Sequence, residues 1–429
     1  MKQLLSQRNL VFWQLLFLMF LAQTELSKWV IFLAVPLYVH LELNKSKNDS
    51  NLKRILKLLN LILFIGLFSG FLHILNYDLY FFGRDIMYFA QAPIFILLGI
   101  YLCRNSSDYH LLLRLTVITS FIITIYKLIE LIVNPTLIFQ LGLYTRYEYD
   151  LSNPTALVAF IILFYARLIK IKLFNRKLEN LFLWISLFSV IISFSRTFYV
   201  LLLVLILVYF IKKKESVFKL YWGIVIFSLF IIFGGLIFDI ESSSLDESTF
   251  KSKVNHSLTE IVVRDYKTQI DILQNWRGYE AFMGLQKFYS GNVFEVLFGQ
   301  GFGAVVYTPQ WIFANEENNL SVIPMFHNGF ITILLKTGLF GLILFFLFFY
   351  KILKFTSLKQ PPSVNQTEKF TALLLKAIVF ITLIQTLVVH GIFTTSVPFL
   401  LIILTGASIK MLLLEKRRLK KTKSIEVIS

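Results

Sequence analysis

Cysteine is almost absent from these 429 residues. The single Cys103 makes a disulfide within the chain impossible and leaves a cysteine-built metal site little to stand on. Charge is scarce as well. Only 16% of residues are charged against 57% hydrophobic, too few to cover the surface of a soluble domain of this length. Several signatures are missing: there is no zinc-ligand spacing, no repeat of fixed period and no acidic pair that stands out as a metal site. Phe298-Gly299-Gln300-Gly301-Phe302-Gly303 is glycine-rich, but it lacks the strand–helix context of a dinucleotide fingerprint and reads as a tight turn.

What the chain does have is apolar runs and aromatic rings. Aromatics make up 16%, with 45 Phe, a load that suits a lipid-facing surface. A helix needs about 20 mostly apolar residues to cross the hydrocarbon of a bilayer. Such stretches fall at 9–23, 28–42, 57–76, 86–103, 112–133, 151–168, 179–194, 197–211, 218–238, 326–350, 370–390 and 396–413. The pattern predicts an all-α polytopic membrane protein of about twelve spans, with eleven or thirteen as alternatives. The short turn Ser193-Phe194-Ser195-Arg196 separates spans seven and eight. The expected organisation is a membrane region over 1–238, a large loop over 239–325, a second membrane region over 326–413 and a basic tail over 414–429. A basic start (Lys2, Arg8) precedes the apolar run from Leu10 to Ala22 without a convincing cleavage site, which reads as an uncleaved first span.

The net charge of +17 invites a nucleic-acid reading, but the distribution of charge argues against it. Of the 42 Lys and Arg, 29 fall at the N-terminus and in alternate loops, ten fall on the other side, and Lys127, Lys336 and Lys376 lie within spans. This positive-inside bias predicts both termini in the cytoplasm and residues 239–325 outside; such charges sit beside anionic headgroups and set topology. The large loop carries a loose helical stripe from Leu258 to Trp276 and a second amphipathic stretch from Tyr279 to Tyr289, with Tyr279, Phe282, Met283 and Phe288 on its apolar side. Helices of this kind are expected to lie on the membrane surface.

Arg84, Arg146, Arg196 and Arg277 all face the non-cytoplasmic side in this topology, against the charge bias. One reading is a pocket for an anion such as phosphate or pyrophosphate, which guanidinium binds through a bidentate fork. The other is snorkelling or local ion pairing, Arg84 with Asp85 or Arg146 with Glu148. His327 stands where the large loop enters the tenth span, in Pro324-Met325-Phe326-His327-Asn328-Gly329. Histidine there is either a general base or a packed polar residue. Asn328 is placed to cap the following helix. His40, His73, His110, His256 and His390 read as ordinary packed or surface residues.

Four segments together resemble the bacterial O-antigen polymerase and O-antigen ligase family. They are Ser193-Phe-Ser-Arg196, Trp276-Arg277-Gly-Tyr-Glu280-Ala, Leu297-Phe-Gly299-Gln-Gly301-Phe-Gly303, and His327-Asn328 with the Gly338…Gly341 end of its span. Arg146 through Asn153-Pro154 is a weaker match. The resemblance runs over roughly residues 140–350. It implies a membrane glycosyltransferase of GT-C-like fold, working at the outer face of the bacterial inner membrane with no metal or other cofactor. The implied substrate is a glycan on undecaprenyl pyrophosphate, which is transferred to an acceptor sugar hydroxyl; membrane lipid and a chain-length regulator are the further partners to expect. The resemblance implies His327, Arg277 and Arg196 as catalytic, His327 as base and the arginines on the pyrophosphate. Arg146, Arg84 and Asn328 are the substrate-binding candidates. A surface-polysaccharide polymerase is the first expectation, a ligase to lipid A core the second and a flippase of lipid-linked oligosaccharide the third. A flippase is expected to carry charges deep in mid-span and broken helices.

Overall fold

The computed structural model describes residues 50–133, 154–192, 196–210, 214–234, 262–309, 322–357, 365–388, 390–393 and 398–426. The expected spans at 9–23 and 28–42 lie outside them, as do Arg146 and the turn at 193–195. In chain order the helices are α1 Ser50–Leu72, α2 Leu79–Leu102, α3 Ser106–Val133, α4 Pro154–Ile169, α5 Arg176–Ile192, α6 Arg196–Phe210, α7 Lys214–Gly234, α8 Gln269–Gln274, α9 Trp276–Tyr289 and α10 Val293–Phe298. A two-residue antiparallel pair follows, β1 Val306–Tyr307 with β2 Val322–Ile323. The chain then forms α11 Gly329–Thr356, α12 Gln366–Val388 and α13 Pro398–Glu426.

Five of these helices, α1, α2, α3, α11 and α12, are long and apolar enough to cross a membrane, and shorter apolar helices occupy Thr155–Ile169 and Val217–Ile226. They coincide with spans read from the sequence, because each apolar run is long enough to keep its backbone bonds within one helix. The last helix continues past the expected span end at 413 to Glu426. Apolar side chains remain exposed along one stripe of α1 (Phe64, Phe68, Phe71) and along α5 (Leu181, Trp184, Phe188). The spacing of three and four residues puts each stripe on one helix face, as a lipid-facing surface requires.

The bundle is tightest where α2 crosses α13. Gly99 faces the backbone of Ile403 and Gly406 faces that of Ile96, so the two helices meet main chain against main chain without intervening side chains. Buried threonines return their hydroxyls to carbonyls one turn earlier, Thr382 to Ile378 and Thr386 to Thr382, which satisfies them without a partner helix.

Of the two helices expected in the large loop, the second forms as α9 and the first is short within the described residues. The first stretch yields only the short α8, capped by the Thr268 side chain accepting from Asp271 N. Asn275, at φ −114° and ψ 36°, ends it and starts α9 in a new direction. Helix α9 docks on the bundle, against α11. Tyr279 and Phe288 are buried, and Gly284 has no side chain to keep Phe326 and Ile331 of the α11 entry away.

After α10 the chain plunges into the bundle. Gly299, Gly301 and Gly303 all take positive φ, as the tight turn required. Phe302 N donates to Gly66 O of α1 at 2.9 Å and Gln300 N to Leu335 O of α11 at 2.8 Å. Gly301 lies against the backbone of Gly70, where any side chain would collide. Helix α11 is broken opposite this turn at Gly338, φ 66° and ψ −169°. Non-helical backbone at this depth is tolerated because protein surrounds it and supplies its hydrogen bonds.

Candidate functional site

His327 sits on the short stretch between β2 and α11. Asn328 caps that helix, its Oδ1 accepting from Phe330 N at 3.1 Å, as read from the sequence. Thr332 Oγ1 accepts from Phe326 N at 3.1 Å, so the turn holding His327 is pinned on both sides. Glu280, from the middle of α9, reaches this turn: its Oε2 accepts from His327 N at 3.0 Å and stands 2.7 Å from His327 Nδ1. The Glu280 side chain is only 4% exposed, whereas that of His327 is 34% exposed. A carboxylate at Nδ1 assigns the ring proton to that nitrogen and leaves Nε2 as a free base.

A second histidine completes the cluster. His390 lies two residues beyond α12 and stacks on His327, ring centroids 4.9 Å apart at 28°. Two backbone-directed bonds hold it there. His390 N donates to His327 O at 2.7 Å, and His390 Nδ1 stands 2.6 Å from Phe326 O. Because that carbonyl only accepts, Nδ1 carries the proton here too. Burial, and then the neighbouring His327, push the His390 pKa down to about 4, with a smaller opposing pull from Glu280. The ring is therefore neutral near pH 7. The unusual backbone of His390–Gly391 (φ 23° and 63°) turns the chain so that the ring points at His327. Gln91 of α2 donates to Ile392 O at 2.7 Å and anchors the turn from a third helix.

Arg277 belongs to the same cluster. It precedes Glu280 by three residues on α9 and so shares its helix face. Its charge is close enough to His390 to add to the lowering of that pKa. Arg196 opens α6, which packs along α12, but its side chain is outside the described residues.

Arg84 occupies a different neighbourhood. Its Nη2 lies 3.4 Å from Asp85 Oδ1, and its guanidinium stacks over Phe81 at 5.0 Å and Tyr88 at 5.8 Å. The local-pair alternative is thus the arrangement found. Asp85 in turn holds the glycine turn. Its Oδ2 accepts from Gly303 N at 2.9 Å and from Lys336 Nζ at 2.5 Å, and Lys336 also donates to Ala304 O. Both charges are fully buried, and each is paired and hydrogen-bonded, which is what burial demands.

His390 and Glu280 are the residues that sequence reasoning passed over. His390 read as an ordinary histidine, and Glu280 was noted within a motif but given no role. The usable signal was a histidine–glycine pair directly after a span, at the same bundle end as the large loop. Among the described residues no group of three His, Cys, Asp or Glu stands together as a metal-binding set.

Residues 181–346 match the family model described as O-antigen ligase. That segment is similar to the O-antigen ligase family. It runs from α5 into α11 and includes Arg196, Arg277, Glu280, the glycine turn and His327, so it supports the polymerase/ligase resemblance seen in the sequence. With the apolar helices it marks the chain as a membrane protein of the polysaccharide-related enzymes. No curated protein and no solved structure matches the chain.

Proposed function

We propose that this protein transfers a glycan from a lipid pyrophosphate carrier of the undecaprenyl type to a sugar hydroxyl, at the extracytoplasmic face of a bacterial inner membrane. The observation that carries this reading is the Glu280–His327 pair with Arg277 one helical turn away. In the reaction the bond between the anomeric carbon and the pyrophosphate oxygen breaks, and that oxygen leaves with the electron pair. The acceptor oxygen forms the new bond to the anomeric carbon, and its proton passes to His327 Nε2. Glu280 fixes the tautomer that exposes this nitrogen and stabilises the imidazolium that results. Arg277 supplies a fork for the charge growing on the leaving pyrophosphate, and the family resemblance proposes Arg196 for the same anion. His390 stays neutral, so it adds no competing positive charge against the imidazolium.

Polymerisation, in which the acceptor is a sugar of another lipid-linked chain, is the first form of this reading. Ligation to lipid A core is the second reading, and the description of the matching family as O-antigen ligase favours it. The test uses purified protein in lipid with its lipid-pyrophosphate-linked glycan. Lengthening of the lipid-linked chain supports polymerisation, and appearance of glycan on a lipid A core acceptor supports ligation. Movement of the lipid across the bilayer without either product would replace both readings with a flippase.

A further inference from the structure

A concavity of about 320 Å³ opens between the α1–α2 link and the segment from the end of α9 to β1. One wall is the link between α1 and α2, with His73, Tyr77 and Phe81; the other is the end of α9, the start of α10 and the glycine turn. Lys287 on its rim lies seven residues after Glu280 on α9, about 10 Å along the helix.

The lining is polar and held in place. Gln300 donates its side-chain amide to Lys287 O at 2.8 Å, and its own carbonyl accepts from Tyr77 OH at 2.9 Å. The side-chain oxygen of Gln300 is left over as an acceptor. Glu295 commits one oxygen to the capping box with Asn292, and its other oxygen is 3.5 Å from His73 Nε2, too long for a strong bond. Burial, and then the Glu295 charge, push the Tyr77 pKa up to about 12, so it stays a neutral phenol. Three rings, Tyr77, Phe81 and Tyr307, line the cavity, and Tyr307 is 70% exposed.

Charge decides against an anion here. The carboxylates of Asp78 and Glu295 face Lys287 and His73, so no excess of positive charge is present, and no arginine lines the cavity. Fixed neutral donors and acceptors beside aromatic faces suit a sugar, which offers hydroxyls at its edge and C–H groups on its face.

We propose that this cavity binds an uncharged stretch of the substrate glycan, a few sugars away from the reacting end. The proposal rests on the glycosyltransferase reading, and it names a binding determinant remote from the chemistry, where binding energy helps to orient the reacting end.

The test uses the full-length protein in lipid nanodiscs and, as probe, the oligosaccharide released by mild acid from the surface polysaccharide of the host cell. Saturation-transfer NMR should show contact with sugar ring protons. Tyr307→Ala should weaken binding on the order of tenfold, the equivalent of one lost ring contact and its hydrogen bond. Glu295→Gln keeps the capping box, since glutamine serves there too, and isolates the charge from the fold. His327→Ala should bind the probe as wild type does, even where transfer is lost. Binding that is indifferent to Tyr307→Ala and Glu295→Gln would overturn the pocket while leaving transfer at His327 intact. Displacement of the probe by inorganic pyrophosphate at equimolar concentration would also overturn it, by showing an anion site. Binding that responds to both variants in a protein without transfer activity would uphold the pocket and sink the glycosyltransferase reading.

Discussion

The histidines at the end of the bundle differ in ways that set their tasks. His327 is partly open and braced by a buried carboxylate, whereas His390 is half-buried, held on backbone carbonyls and kept neutral. With His327 as base, His327→Ala should cost on the order of 10²–10⁴-fold in transfer rate. Glu280→Gln keeps the shape but removes the charge that holds the imidazolium, so it should lower the turnover number more than it raises KM. Arg277→Lys should also be damaging, because lysine retains charge but loses the fork. His390 gives a pH prediction. Its folded pKa of about 4 lies below the ordinary 6.5, so between these values the unfolded chain binds the extra proton. Stability is therefore present above about pH 6.5 and lost as pH falls toward 4. Between pH 7 and 5 the loss should be about 2 kcal/mol, read as a fall in Tm that His390→Asn flattens. An unchanged pH slope in His390→Asn would put the acid sensitivity elsewhere.

Among the elements, the glycine turn and the broken α11 fit each other. The turn enters the bundle only because α11 opens at Gly338, and Lys336 and Asp85 seal the junction. Lys336→Met takes the fully buried partner from Asp85, leaving it Arg84 at 3.4 Å and the Gly303 amide, and should destabilise by up to about 3 kcal/mol. Adding Asp85→Asn should recover much of that loss, which thermal unfolding of the two variants and their combination would measure. The sequence made the long helices legible, since an apolar stretch such as 326–350 is long enough to cross a bilayer as one helix. It also announced the cap at Asn328 and a turn at Gly299–Gly303. It could not show that α9 docks on the bundle, because an apolar stripe fits lipid and protein equally well. Nor could it show that Lys336 finds Asp85, 251 residues away, or that His390 lands on His327. Such pairings depend on tertiary packing and leave no local period.

At the scale of the whole molecule, the charge asymmetry of the sequence predicts one topology. Both termini and residues 351–369 are expected in the cytoplasm, with the cluster at His327 facing out. Cys103 is buried, so the native chain offers a quiet background for labelling by an impermeant thiol reagent. A cysteine introduced between 241 and 260 should label in intact cells, and one next to Lys420 should not; the reverse pattern would invert the topology and remove the cluster from extracytoplasmic substrates. The most direct measurement is glycan transfer by reconstituted protein, with wild type, His327→Ala and Glu280→Gln compared under single-turnover conditions. Catalysis at the Glu280–His327 pair predicts rapid transfer by the wild type, a fall of 10²–10⁴-fold in His327→Ala and an intermediate fall in Glu280→Gln, all three binding donor alike. Wild-type transfer that survives His327→Ala within a factor of about three would contradict it.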